Sequence, residues 1–249
     1  MVSQREDPTS SENRRSAALA AIAAAQPDGQ LEHLPADLQR ICRAAVVGLG
    51  VEGSSIQVNA RDGVGAVLAS SDAVAHAIGD AEFATGEGPG HDAFALARPV
   101  LISRLLEDGQ VRWPGFVAAV RSSGVRACFS LPLHVGAVRL GVLDLYRWHP
   151  GELEPTQVSL ALTFADLATE RLLDPRPDPS GGLEARLMDA IDRNSEIHQA
   201  QGMVMVDLGV DLAEAIALMR AHAFSRDVSL LDIARELLAG GRLPPLESS

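Results

Sequence analysis

The sequence contains no lysine, because all 21 of its basic residues are arginine. This absence excludes mechanisms that need a lysine amine, such as the phosphate-binding lysine of a P-loop or a lysine Schiff base. Long apolar runs are missing as well, since none reaches the roughly 18 residues that can cross a bilayer. The N-terminus is polar and includes acids, unlike a secretory signal. We therefore expect a cytoplasmic protein that does not enter a membrane.

Cysteine and histidine are too sparse and too scattered to predict a reactive site. Cys42 and Cys128 are far apart in sequence and lie in no CxxC motif. We interpret them as small buried hydrophobes in a reducing cell, with a redox pair as the alternative. The histidines form no HxxxH or HExxH pattern, and no GxSxG elbow is present. We therefore expect no metal site, no catalytic residues, no cofactor and no enzyme activity.

The balance of charge is acidic, with a net charge of −12. Such a charge favours solubility and repels nucleic acid at long range. Hydrophobic residues make up 47% and charged residues 22% of the chain, which is ordinary for a globular protein. A length of 249 residues fits one large domain or two smaller ones.

Composition and periodicity divide the chain into four segments. Residues 1–30 are expected to be flexible, with a short helix over 16–25. Residues 31–173 mix strand and helix periods. Residues 174–182 hold three prolines and two glycines, which predicts a linker. Residues 183–243 have helical periodicity throughout and predict a small three-helix bundle.

The mixed segment predicts an α+β domain with an antiparallel sheet and helices on one face. Adjacent alternating runs predict strands at 55–59, 64–69, 98–103, 127–135 and 139–146. The glycine-rich stretch 86–90 precedes a predicted helix. We interpret it as a structural loop rather than a phosphate site, since Pro89 has no N–H and Glu87 repels an anion. A ligand pocket is expected on the helix-free side of the sheet, under the segments 80–97 and 104–114, and its ligand is unknown.

The first helix of the C-terminal segment repeats apolar positions in steps of four and three. This spacing predicts a heptad seam that holds a homodimer together, and a polar Asn within the seam would fix its register. The alternative is an amphipathic helix that packs on its own domain. Asp211 and Glu214 then form a capping pattern for a second helix, and Leu230 begins the apolar face of a third. The seam residues are Leu183, Leu187, Ala190, Asn194, Ile197 and Val204.

Two motif sets resemble known domain families. The stretch IHQAQGMVM at 197–205, followed by EA, LMRAHA and LLDIA, resembles the ANTAR domain of transcription antitermination regulators. Upstream, GEGPGHDAF, RPVLIS, RWPGF and SLPLHVGAVRLGVLDLY resemble the GAF domains that precede ANTAR in actinobacterial proteins. The first resemblance covers about 50 residues with the expected spacings, and the second covers about 140.

These resemblances imply a sensor domain followed by an RNA-binding domain. The resemblance to ANTAR proteins implies binding to paired stem-loops of nascent leader RNA, usually as a dimer. This binding prevents a terminator hairpin from forming. The C-terminal segment nevertheless has 6 arginines against 11 acids, and RNA affinity usually draws on phosphate contacts. The alternative is therefore a GAF sensor or dimerisation protein whose bundle binds a protein partner. The candidate RNA-binding residues are Arg193, His198, Gln199, Gln201, Arg220 and Arg226.

Overall fold

A computed structural model describes residues 8–31, 34–59, 65–174, 195–226, 228 and 230–243 of the chain. The strands in these residues are β1 Gly53–Asn59, β2 Gly65–Ser70, β3 Val100–Ile102, β4 Ala127–Val135 and β5 Val138–Arg147. The helices of the sheet domain are α1 Pro8–Ala24, α2 Ala36–Leu49, α3 Ala73–Thr85, α4 Pro89–Leu96, α5 Leu105–Arg112, α6 Pro114–Val120 and α7 Pro155–Leu173. The C-terminal bundle consists of α8 Ser195–Leu208, α9 Leu212–Arg226 and α10 Leu230–Leu238.

The five strands form one antiparallel sheet in the order β2-β1-β5-β4-β3. β4 and β5 make a tight hairpin in which Val135 pairs with Val138. Gly136 provides the left-handed backbone of this turn, with φ of 58°. The predicted hairpins are therefore confirmed, although the turn at 60–64 between β1 and β2 lies outside the described residues.

Helices cover both faces of the sheet, which corrects the prediction of one covered face. On one face, α1, α2 and α7 pack over a core that includes Ile56, Leu143 and Phe164. On the other face, α3 to α6 cover Tyr146 and Val142. Side chains of a strand alternate between faces, and β5 is buried along its last seven residues. Both faces of this strand are therefore shielded, as its nearly continuous apolar run requires.

The N-terminal segment differs from the expectation of a flexible tail. α1 is 17 residues long, and Ala18 is buried in the core shared with α2 and α7. An ion pair of 2.5 Å between Arg15 and Glu170 joins α1 to α7. α1 is thus an added helix of the sheet domain.

The C-terminal bundle has its own core, with Ala200, Ala215, Met219 and Ile233 at its centre. Asp211 caps α9 as predicted, because its Oδ1 accepts a hydrogen bond of 2.8 Å from the Glu214 N–H. α8 ends before Gly209, whose φ is 65°. Residues 175–194, which include most of the predicted linker and the first part of the seam, lie outside the described residues.

Candidate RNA-binding face and sensor core

The two predicted glutamines on α8 have different environments. Gln199 is exposed, whereas Gln201 is only 1% exposed. Gln201 Nε2 donates a 2.7 Å hydrogen bond to the carbonyl of Leu212. This bond ties α8 to the beginning of α9. Gln201 is therefore a structural residue of the bundle here, and the prediction that it contacts RNA does not fit its burial.

Arg220 on α9 contacts the sheet domain. Its Nη2 donates a 2.6 Å hydrogen bond to the carbonyl of Phe83 on α3, and its Cζ lies 5.5 Å from the centroid of the Phe83 ring. Its Nε is buried without a hydrogen-bond partner in the described structure. Burial lowers the pKa of Arg220 to about 10, because desolvation disfavours the charged form.

His198 on α8 lies against the same aromatic ring. The centroids of the His198 and Phe83 rings are 6.2 Å apart, in an edge arrangement at 61°. Phe83 and Ala84 also pack on the core of the C-terminal bundle. The end of α3 therefore brings together two of the predicted RNA-binding residues, His198 and Arg220.

The other basic residues of the bundle lie mostly beside acids. Arg226 forms a 2.7 Å ion pair with Glu236, and Arg235 forms a 2.9 Å pair with Glu196. Arg242 is exposed, and Arg193 lies outside the described residues. The structure thus does not gather the predicted arginines Arg220 and Arg226 into one basic patch.

The described part of the heptad seam is buried within its own bundle. Ile197 is 7% and Val204 is 2% exposed, and both pack against α9 and α10 in the bundle core. This packing is the arrangement given above as the alternative to a dimer seam. Leu183, Leu187, Ala190 and Asn194 lie outside the described residues.

The face of the sheet that α3 to α6 cover, called the sensor face below, carries a buried polar network that joins three strands to α3. Gln57 Nε2 on β1 donates to Glu82 Oε2 at 2.9 Å and to Asp144 Oδ2 at 2.8 Å. Ser130 on β4 donates to Asp144 Oδ1 at 2.5 Å. Glu82 Oε1 accepts the N–H of Gly90 at the beginning of α4. The network fixes α3 and α4 over the centre of the sheet.

Two carboxyl groups in this network have raised pKa values. Burial, and then the charge of Asp144, raise the pKa of Glu82 to about 8. Burial raises the pKa of Asp144 to about 6. Both shifts have the same physical origin, since a carboxylate removed from water is destabilised relative to the neutral acid. The pair therefore retains a proton near neutral pH.

The glycine-rich loop binds the protein's own carboxylates. Gly88 and Gly90 lie so close to Glu82 that a Cβ on either would be within 2.7 Å of its carboxylate. Glu87 Oε1 accepts N–H groups of Gly115 and Phe116 at the beginning of α6. Internal carboxylates therefore take the backbone donors that an anion would need, which confirms the structural role predicted for this loop.

The space under the 80–97 and 104–114 segments is filled by side chains. Trp113 and Phe116 are buried there beside Tyr146, whose hydroxyl lies 2.9 Å from Ser55 Oγ. Phe83 points away, toward the C-terminal bundle. Among the described residues, a packed core thus occupies the space where an open pocket was expected. A separate groove of about 730 Å³ lies between α3, α6 and α9, where Arg220 contributes to its lining.

Several of these functional candidates were missed by the sequence reasoning. Asp144 interrupts an apolar strand, which is a signal for a buried acid. Phe83 gave no such signal, because its contact with Arg220 joins residues 137 positions apart.

Comparison with known families agrees with this two-part structure. A family model for the GAF domain matches residues 34–172, more than half of the chain. A model for the ANTAR domain matches residues 185–238. The chain belongs to the GAF domain family and carries an ANTAR domain after it, the GAF–ANTAR architecture. The GAF domain is a sensor domain, and the ANTAR domain is an RNA-binding regulatory domain. No curated protein matches the sequence significantly.

Solved structures similar to this GAF–ANTAR protein are distant from it. The GAF domain of an Acinetobacter phosphoenolpyruvate-protein phosphotransferase is 13% identical, with a TM-score of 0.47, over 64% of this chain and 90% of that one. The corresponding domain from Coxiella burnetii is also 13% identical, with a TM-score of 0.45, over 65% of this chain and 91% of that one. A putative two-component sensor histidine kinase domain from Sinorhizobium meliloti is 17% identical, with a TM-score of 0.41, over 53% of this chain and 85% of that one.

The described residues of the GAF–ANTAR protein contain no helix long and apolar enough to span a membrane. They also contain no group of three or more His, Cys, Asp or Glu side chains arranged to hold a metal ion. Cys42 and Cys128 are both buried free thiols, which confirms their interpretation as core residues. Burial raises the pKa of the Cys42 thiol to about 12, so this thiol stays protonated and unreactive.

Proposed function

We propose that this protein is a cytoplasmic, signal-responsive transcription antiterminator that acts on stem-loops in nascent leader RNA. The observation that carries the proposal is the ANTAR match over residues 185–238, together with a bundle whose core is formed by the motif residues Ala200, Ala215 and Ala234. The small residues of the motif therefore allow the three helices to pack closely in this chain. The GAF domain would provide the signal.

The surface proposed for RNA includes Gln199 and the face around His198 and Arg220, which Phe83 covers in this structure. Gln199 is exposed on α8, and its amide offers both a donor and an acceptor to a base edge. RNA sequence is usually read in loops whose unstacked bases pack on arginine or histidine planes. His198 and Arg220 supply such planes on neighbouring helices. Arg193 would add a phosphate contact.

Crosslinking in cells followed by sequencing of the attached RNA tests the proposal. We expect recovered RNAs to contain two adjacent hairpins. Purified protein should then prefer such RNA to an unstructured RNA of equal length, and its affinity should fall steeply with salt because phosphate contacts release counterions. The absence of any salt-sensitive preference for paired hairpins would contradict the proposal.

A second candidate function is recognition of a protein partner by the ANTAR bundle. The observation in its favour is the pairing of Arg226 and Arg235 with glutamates, which leaves these cations less available to phosphates. Purification of the tagged protein after nuclease treatment distinguishes the two. A partner protein that stays bound without RNA supports the second function.

A further inference from the structure

We infer that Phe83 of the GAF domain occupies the position of an unpaired RNA base on the ANTAR domain, so that the GAF domain and an RNA loop compete for Arg220 and His198. This inference rests on the proposed RNA-binding function. It adds to that function a built-in autoinhibitory contact and identifies the residue responsible for it.

The geometry around Phe83 resembles base recognition. Single-stranded bases stack on guanidinium planes and on aromatic side chains. The Phe83 ring lies under the Arg220 guanidinium at 5.5 Å and edge-on to the His198 ring at 6.2 Å. A flat aromatic group between an arginine and a histidine thus fills the position that a loop base would take.

When Arg220 contacts Phe83, it makes few of the hydrogen bonds that a guanidinium can make. A guanidinium carries five N–H donors, and the one hydrogen bond of Arg220 seen in the described structure goes to the Phe83 carbonyl. No carboxylate forms an ion pair with it among the described residues, and its Nε is buried without a partner. Burying a cation without a counter-charge is costly. An RNA phosphate or base acceptor would satisfy Arg220 better, so the contact is suited to being exchanged.

The contact of Phe83 with Arg220 and His198 is called the latch below. Its surroundings also allow it to open and close. The groove of about 730 Å³ beside Arg220 lies between the two domains, which gives an incoming loop access to the contact. Gly86 lets α3 end directly against Arg220, since a Cβ at this glycine would be 2.6 Å from Arg220 Nη1. Glu82 directly precedes Phe83 in the sequence and belongs to the buried network of the sensor face. Phe83 therefore lies on α3, the helix that contributes Glu82 to that network.

Two substitutions in the GAF domain open the latch without changing the ANTAR sequence. Phe83→Ala removes the ring that lies 5.5 Å from the Arg220 guanidinium carbon. Gly86→Asn places a side chain where the guanidinium now lies, and Asn tolerates the left-handed backbone of this position, where φ is 70°. Phe94→Ala is the matched control, because Phe94 packs against the core of the sensor face instead.

The experiment measures binding of the full chain to a library of two-hairpin RNAs with randomised loops. We expect Phe83→Ala and Gly86→Asn to tighten binding on the order of tenfold, which corresponds to about 1.4 kcal/mol. Phe94→Ala should bind like the wild type. Arg220→Ala should weaken binding, and Phe83→Ala should no longer tighten it in the Arg220→Ala background, because the contact is then already lost. Hydrogen exchange over Leu212–Arg226 should be faster in the two opened variants, even without RNA.

The possible failures are distinguishable. If the wild type binds RNA but both opened variants bind it no more tightly, the competition is wrong while the proposed function stands. If slow exchange over Leu212–Arg226 persists in both variants, Phe83 is not the residue that holds the domains together. If the wild type and every variant bind no RNA, the proposed function itself fails, and the competition fails with it.

Discussion

At the scale of single residues, the buried carboxyl pair makes stability depend on pH. Glu82 has a raised pKa in the folded state, so the folded protein holds a proton that the unfolded chain releases above its ordinary pKa of about 4.3. The contribution of Glu82 to the unfolding free energy therefore favours folding at low pH and is lost as the pH rises toward 8. We predict that Glu82→Gln flattens the pH dependence of the unfolding free energy by about 1–3 kcal/mol between pH 5 and 8.

Urea unfolding at several pH values checks this prediction, with the wild type measured alongside. The glutamine keeps an oxygen for the N–H of Gly90, which Glu82 accepts at 2.6 Å, so the variant should still fold. Parallel pH profiles for the variant and the wild type would show that Glu82 does not titrate in this range.

The two glutamines of α8 provide a second contrast at the residue scale. Gln201→Ala removes a buried hydrogen bond to the Leu212 carbonyl and should lower the unfolding free energy by about 1–3 kcal/mol. Gln199→Ala changes an exposed side chain and should alter stability by less than about 0.5 kcal/mol, while weakening RNA binding. Thermal melts and RNA titrations of both variants test this separation. Equal destabilisation by both would contradict it.

At the scale of elements, local chemistry determined what the sequence could predict. The capping pair Asp211 and Glu214 marked the beginning of α9, and the alternation on either side of Gly136 marked the β4–β5 hairpin, because each signal acts within a few residues. α5 was not predicted. It is only eight residues long, contains Gly109 in its interior, and packs Leu105 into the core of the sensor face. Such a helix depends on tertiary packing more than on propensity.

The cap of α9 gives a prediction at the same scale. The Asp211 carboxylate accepts the N–H of Glu214 at 2.8 Å, and in return Glu214 accepts the Asp211 N–H at 3.3 Å. Asp211→Ala should therefore lower the stability of the bundle by about 1 kcal/mol, and Asp211→Ser should restore most of it. Hydrogen exchange over the first turn of α9 measures the effect. A variant with unchanged exchange would show that the cap contributes little.

At the scale of the whole molecule, the candidate site depends on contacts that sequence patterns do not contain. The ANTAR motif predicted Arg220 as a functional residue, but nothing near it in sequence indicated that Phe83 would cover it. Similarly, Gln57 and Asp144 meet because β1 and β5 are neighbours, and Glu82 joins them from α3, which packs over the sheet. Residue types could thus be predicted from motifs, whereas their partners depended on the topology.

The predicted homodimer is also a property of the whole molecule, and the packing of α8 narrows the residues that could form its interface. Ile197 and Val204 are used in the core of the bundle, so the proposed homodimer depends on the seam residues before α8, above all Leu183 and Leu187. We predict that the full chain sediments as a dimer at micromolar concentration and that the double variant Leu183→Asp, Leu187→Asp sediments as a folded monomer, because charged residues cannot pair in an apolar seam. Ile197→Ala should instead destabilise the bundle by about 2–5 kcal/mol and leave the dimer in place under native conditions. A double variant that still sediments as a dimer would exclude this seam as the interface.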